Sequence, residues 1–213
     1  MSDPDPAAPA PRTLNVIFCV DCSGSMAGER IGAVNAALRS ILPALRRAAE
    51  GDPGVEILAR VLAFADKPQW RVAGEMSQLV AGGETNLGLA LRELGEALSS
   101  IDALTPAVAI LVSDGLPTDD GEAGLAAFAR RPHAAEALRI AVAVGSDADI
   151  DLLQAFGARL PPLLAHNPAM LRGQIEWATA ALVTAAASPA GVEMQALAAA
   201  AARRNEQIGE RLW

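Results

Sequence analysis

Three short apolar runs constrain this chain more than any other feature: Thr13 to Val20 (TLNVIFCV), Ala107 to Val112 (AVAILV) and Arg139 to Val144 (RIAVAV). Runs of this length, partly β-branched and followed at once by turn-forming or polar residues, read as strands buried on both faces. Between them lie segments in which leucine and isoleucine recur every three or four residues, the spacing of one helix face. Strand and helix in alternation imply a mainly parallel sheet with helices on both sides. The expected class is α/β, Rossmann-like and doubly wound, with ligand sites outside the carboxyl ends of the strands.

The individual elements follow. A helix is expected from about Glu29 to Glu50, with Ile31, Val34, Leu38, Ile41, Leu42 and Leu45 inward, and with Pro43 kinking or locally breaking it. Gly51-Asp52-Pro53-Gly54 ends it. Val55 to Phe64 is the next strand. The connection Ala65-Asp66-Lys67-Pro68 is too short for a parallel return, so Gln69 to Val72 should pair antiparallel as an edge strand. The loop 81–86 leads into a helix marked by Leu87, Leu91, Leu94, Leu98 and Ile101. Helices near Gly121 to Arg130, Asp149 to Phe156 and Pro168 to Ala187, with a weak strand near Leu163, complete the order.

With 213 residues the chain suffices for one substantial domain that buries about 70% of its unfolded surface. We assign residues 1–12, rich in proline, to a flexible arm, 13–187 to the domain, and 188–213 to a helical tail. In that tail Met194, Leu197, Ala201, Ile208 and Leu212 share a face, and docking on the chain's own domain and engagement of a partner both fit. No apolar run reaches the roughly 18 residues of a membrane span. The acidic, proline-rich start lacks the pattern of a secretory signal, so a cytoplasmic location is expected. Seventeen basic against 25 acidic residues leave a net charge of −8, which disfavours nucleic-acid binding through phosphates. Proteins or cations are the expected partners.

Asp21, Ser23 and Ser25 stand at alternate positions just after the first strand. In an extended loop alternate side chains point to one side, so three oxygens can converge, and Gly24 allows the backbone to bend. Carboxylate and hydroxyl oxygens suit Mg²⁺, Mn²⁺ or Ca²⁺. Asp114 also follows a strand directly, and Thr85 lies in a loop that can reach the same rim. As bare turn and cap residues, Ser23, Ser25 and Thr85 would not account for both aspartates following strands. Cys19 and Cys22 form a C-x-x-C spacing, but no second cysteine pair exists and His133 and His166 lack the spacing of a zinc module. Neither histidine is expected at the rim.

The three segments, D-x-S-x-S at Asp21, Ser23 and Ser25, Thr85 within Gly83-Glu84-Thr85-Asn86, and Asp114 within Ser113-Asp114-Gly115, resemble the metal-ion-dependent adhesion site of von Willebrand factor A domains. The resemblance covers about Thr13 to Ala187. The run Asp114-Gly115-Leu116-Pro117-Thr118-Asp119 is similar to the D-G-x-P-T-D segment of the bacterial TerY-like subfamily, associated with tellurite resistance and stress operons. The resemblance implies that Ser23 and Ser25 ligate Mg²⁺ directly, that Thr85 does so directly or through water, and that Asp21 and Asp114 supply charge directly or through water. A carboxylate from a partner protein would take an exchangeable position. The implied role is a non-enzymatic adaptor with co-encoded partners such as a kinase or phosphatase. Glu84 would alter the charge of such a site or reach a neighbouring water. The positive end of a helix beginning at Glu29 would weaken a cation there while favouring an incoming carboxylate.

Two other classes remain in view. A Mg²⁺-dependent phosphotransferase could use Asp21 as phosphoryl acceptor, but the position two residues on, an aspartate in the familiar form of that site, is Ser23. A subunit of a chelatase or other ATPase-linked assembly is also compatible. The Walker A pattern with its lysine and the G-x-S-x-G elbow are both absent.

Overall fold

Alternate side chains of the first strand, β1 (Arg12–Asp21), enter two separate cores, and this divides the molecule into layers. Leu14, Val16, Phe18 and Val20 lie in one core, and Ile17 and Cys19 in the other, as the two-residue period of a strand requires. The structure is a computed structural model and describes residues 12–50, 54–72, 78–102, 104–188 and 193–210. The arm expected at 1–12, apart from Arg12, and the helix stop at 51–53 lie outside the described residues, as do Leu212 and the side chain of Ile208.

Six strands form one sheet in the order β3-β2-β1-β4-β5-β6. They are β1, β2 (Val55–Phe64), β3 (Gln69–Val72), β4 (Ala107–Ser113), β5 (Leu138–Val144) and β6 (Leu163–Ala165). All neighbouring pairs are parallel except β2 and β3, whose antiparallel pairing runs from Ala63 opposite Gln69 to Arg60 opposite Val72. The expected edge hairpin is therefore present. Because β1 lies between β2 and β4, the winding reverses there, and the carboxyl ends of β1 and β4 form the switch point at which open α/β sheets commonly bind ligands.

One face is covered by α1 (Glu29–Glu50) and α6 (Pro168–Ala187), through Val34, Leu38, Ile41, Ile175, Ala178 and Leu182. The other is covered by α2 (Leu87–Ser99), α3 (Gly121–Ala129), the five-residue α4 (Pro132–Glu136) and α5 (Ile150–Gly157), through Leu91, Leu94, Phe128, Ala134, Leu153 and Phe156. α4 is too short to carry a helical period, and only Pro132 at its first turn signals it. Asp149, expected as the first residue of α5, instead caps it by accepting from the Leu152 amide at 3.1 Å. α1 runs through Pro43 without the expected break. Pro43 and Arg39, whose carbonyl loses its partner, are both exposed, so water can take that acceptor.

The tail helix α7 (Met194–Glu210) docks against β6. Asn205 accepts from the Leu164 amide at 3.0 Å and donates to the Pro162 carbonyl at 2.9 Å, taking the place of a neighbouring strand. An edge that would otherwise offer backbone donors and acceptors is thus covered.

On the opposite face α2 and α3 meet at two glycines. A Cβ on Gly88 would lie 2.3 Å from the Asp120 carbonyl oxygen, and one on Gly124 would lie 2.3 Å from the Gly88 Cα. Both contacts are with backbone, which cannot swing aside. Gly88→Ala should lower stability by about 1–3 kcal/mol through overpacking, read as a lower denaturant midpoint. Gly32→Ala, where a Cβ meets nothing within 4 Å, is the control.

Candidate metal centre at the sheet rim

Asp21 closes β1 and is fully buried. Its two carboxylate oxygens have different donors: Oδ1 accepts from the Ser23 amide at 2.8 Å and Oδ2 from the Ser113 hydroxyl at 2.7 Å. Burial pushes its carboxyl above the usual range, the hydrogen bonds from Ser23 and Ser113 draw it back, and the charge of Asp114 raises it again. The charge of Asp114 thus reaches Asp21, while Arg30 donates to the Ser25 carbonyl at 3.1 Å on the outer side of the loop.

The hydroxyls of Ser23 and Ser25 lie 3.0 Å apart beside this pair. Ser23 is buried and Ser25 exposed, in the short 3-10 turn Gly24–Met26. Two ligands at right angles around an octahedral Mg²⁺ at about 2.1 Å are themselves about 3.0 Å apart, so this spacing fits one edge of such a site. Among the described residues no group of three or more His, Cys, Asp or Glu is placed to hold a metal. A hard-cation centre of the kind expected from the sequence would draw on the hydroxyls.

The loop 82–86 is fastened to the first segment along its backbone. Gly82 donates to the Cys22 carbonyl at 2.8 Å, Gly24 donates to the Gly83 carbonyl at 3.0 Å, and Cys22 donates to Phe64 at the end of β2 at 2.7 Å. Asp66 accepts from the Glu84 amide at 2.8 Å, and a Cβ on Gly83 (φ +83) would lie 2.6 Å from that carboxylate. Upstream, Asn35 of α1 clasps Leu79 on both sides, accepting from its amide at 2.8 Å and donating to its carbonyl at 2.9 Å. Thr85 is thereby buried at the same rim.

Asp114, just beyond β4, is buried too, and its Oδ1 accepts from the Leu116 amide at 3.2 Å. The structure brings Asp21, Ser23 and Ser25 into a contiguous chain of contacts, and Asp114 close enough for its charge to act on Asp21. Among the described residues no hydrogen bond joins the Thr85 side chain to the other four; Thr85 reaches the rim through its backbone. Glu84 is exposed.

Several supporting residues were not singled out from the sequence. Ser113 ends an otherwise apolar run, and Asn35 interrupts the apolar face of α1 between Val34 and Leu38; both were visible as polar residues at buried positions. His166 is a correction. It directly follows β6 and lines a 310 Å³ crevice with Arg30 and Pro168 at the carboxyl ends of the strands, although no rim position was expected for it. A strand of three residues gives too little apolar period to place its end.

Cys19 and Cys22 are free and buried in opposite cores. Burial raises both thiols, aided by the charge of Asp21, and Cys22 is pushed up to about 12. Neither is poised for redox or zinc chemistry. A thiol reagent should label both only on unfolding; rapid labelling of native protein would contradict their placement. Ser113→Ala should cost about 1–3 kcal/mol, because a buried Asp21 oxygen loses its donor, measured as a denaturant midpoint.

A model of the von Willebrand factor type A domain matches residues 16–116. Similar solved structures include the pilus adhesin SpaC from Lactobacillus rhamnosus GG, with a TM-score of 0.63, 16% identity, and coverage of 79% of this chain and 30% of that one. The ArnB paralog VWA2 from Sulfolobus acidocaldarius gives a TM-score of 0.55 at 17% identity, covering 78% and 45%. A von Willebrand factor type A protein from Catenulispora acidiphila gives 0.57 at 18%, covering 80% and 42%. The chain spans less than half the length of each, and the likeness is one of fold. No curated protein sequence matches. Over the matched segment this chain is similar to von Willebrand factor type A domains, and it shares the fold of the solved structures named above.

Proposed function

We propose that this domain is a metal-dependent protein-binding module, in which Asp21, Ser23, Ser25, Thr85 and Asp114 hold Mg²⁺ and a partner's Asp or Glu completes the coordination. The observation that carries the reading is the Ser23 and Ser25 hydroxyl pair, 3.0 Å apart and set beside two buried carboxylates. Neutral hydroxyls leave most of a bound cation's charge uncompensated, so a solvent-facing position attracts a further anion. Ser23, Ser25 and Thr85 would hold the ion, Mn²⁺ and Ca²⁺ being chemically acceptable substitutes. Asp21, whose oxygens are engaged by Ser23 and Ser113, would contribute charge.

The same engagement speaks against the phosphotransferase alternative. An acceptor aspartate needs an accessible oxygen, and Asp21 is fully buried with a donor on each oxygen. Fold neighbours that include an adhesin are in keeping with binding over turnover. Among the described residues no helix is long and apolar enough to cross a membrane. A cytoplasmic setting, a role in tellurite resistance or stress response, and co-encoded kinase or phosphatase partners belong to this proposal through the Asp114–Asp119 run. Membership of an ATPase-linked assembly is the alternative that a partner's identity would decide.

Isothermal titration should show Mg²⁺ or Mn²⁺ binding to the wild-type protein. Asp114→Ala and Ser25→Ala should each weaken it by at least about tenfold, the lower end of losses seen when support for a metal ligand is removed. Absence of wild-type binding, or equal binding by the variants, would sink the proposal.

A further inference from the structure

Thr85 is held by residues of a different segment, and these lie five residues or fewer beyond Asp114. The Thr118 hydroxyl accepts from the Thr85 amide at 3.0 Å, and the Thr118 amide donates to the Thr85 carbonyl at 2.9 Å. One residue thus grips both sides of the threonine. The same hydroxyl donates to the Asn86 side-chain oxygen at 3.3 Å.

Asp119 acts one step further along. Asn86, at the capping position of α2, makes no side-chain cap. Asp119 supplies one from outside the helix: Oδ1 accepts from the Gly88 amide at 2.9 Å and Oδ2 from the Leu89 amide at 2.8 Å. The missing Cβ of Gly88 lets the 118–120 turn approach this closely, since a Cβ there would also lie 3.0 Å from Asp119 Oδ2.

We infer that Thr118 and Asp119 are positioning residues that couple the Asp114 loop to Thr85, so that the two later segments of the metal site move as one body. Thr118 is exposed and its side chain serves no core, so the hydroxyl's contacts are those with Thr85 and Asn86. A displacement of Asp114 is transmitted through four intervening residues to the Thr85 backbone. The cation would then sense one rigid edge formed by these two loops and a second formed by Ser23 and Ser25. The inference rests on the reading of Thr85 as a metal-site residue.

The test uses the full chain with Thr118→Val, which keeps the shape and removes the hydroxyl, and Thr118→Ser, which restores it. Amide exchange at Thr85 is followed by NMR in metal-free protein, with Val112 in β4 as an internal reference, and Mn²⁺ affinity by electron paramagnetic resonance. Thr118→Val should lose protection at Thr85 but not at Val112, and weaken Mn²⁺ by about 10–100-fold, the usual loss when an outer partner of a ligand is removed. Thr118→Ser should recover both. Asp119→Asn, which keeps the cap geometry but halves its acceptors, should lose protection at Gly88 and Leu89. If wild type binds Mn²⁺ and Thr118→Val matches it in affinity and Thr85 protection, the coupling is wrong while the metal reading stands. If wild type does not bind Mn²⁺, the metal reading fails, and retained protection at Thr85 in Thr118→Val would overturn the clamp as well.

Discussion

The buried carboxylate of Asp21, held between the Ser23 amide and the Ser113 hydroxyl, is the interaction on which the rim depends. An ionised carboxylate taken out of water costs several kcal/mol unless donors replace the solvent. Here the donors come from two directions. One is the loop that leaves β1, and the other is the last residue of the neighbouring parallel strand β4. The sheet's winding reversal at β1 makes those two ends adjacent, so fold topology and side-chain chemistry meet at one carboxylate.

From that point outward the rim is built mostly of backbone. Gly82 and Gly24 exchange hydrogen bonds with the first two segments, Cys22 ties the loop to β2, and Thr118 fastens the second segment to the third. Such a construction fixes loops without a large core of their own. Burial raises the carboxyl of Asp21 despite the donors from Ser23 and Ser113, and the charge of Asp114 adds to that rise. A divalent cation would neutralise that charge.

Much of this was legible in the residues. The doubly apolar runs specify parallel central strands, and the short 65–68 connection specifies the antiparallel edge. Asp21, Ser23 and Asp114 could be placed because each follows such a run. What escaped was either too short for periodicity, as with α4 and the end of β6 that carries His166, or dependent on contacts between distant segments. Thr118 and Asp119 sit in a quoted motif, yet their work on Thr85 and α2 spans about 30 residues of sequence. Pro43 does not break α1, because it and Arg39 face solvent and water can reach the freed carbonyl, an orientation that the sequence alone does not fix.

The most direct test of the central claim is anomalous scattering from crystals of the protein grown or soaked with Mn²⁺. The account expects one strong peak at the rim, about 2.1 Å from the Ser23 and Ser25 hydroxyl oxygens, with Asp21 and Asp114 around it. Data of good quality with no peak there, or with manganese bound only elsewhere on the molecule, would contradict it.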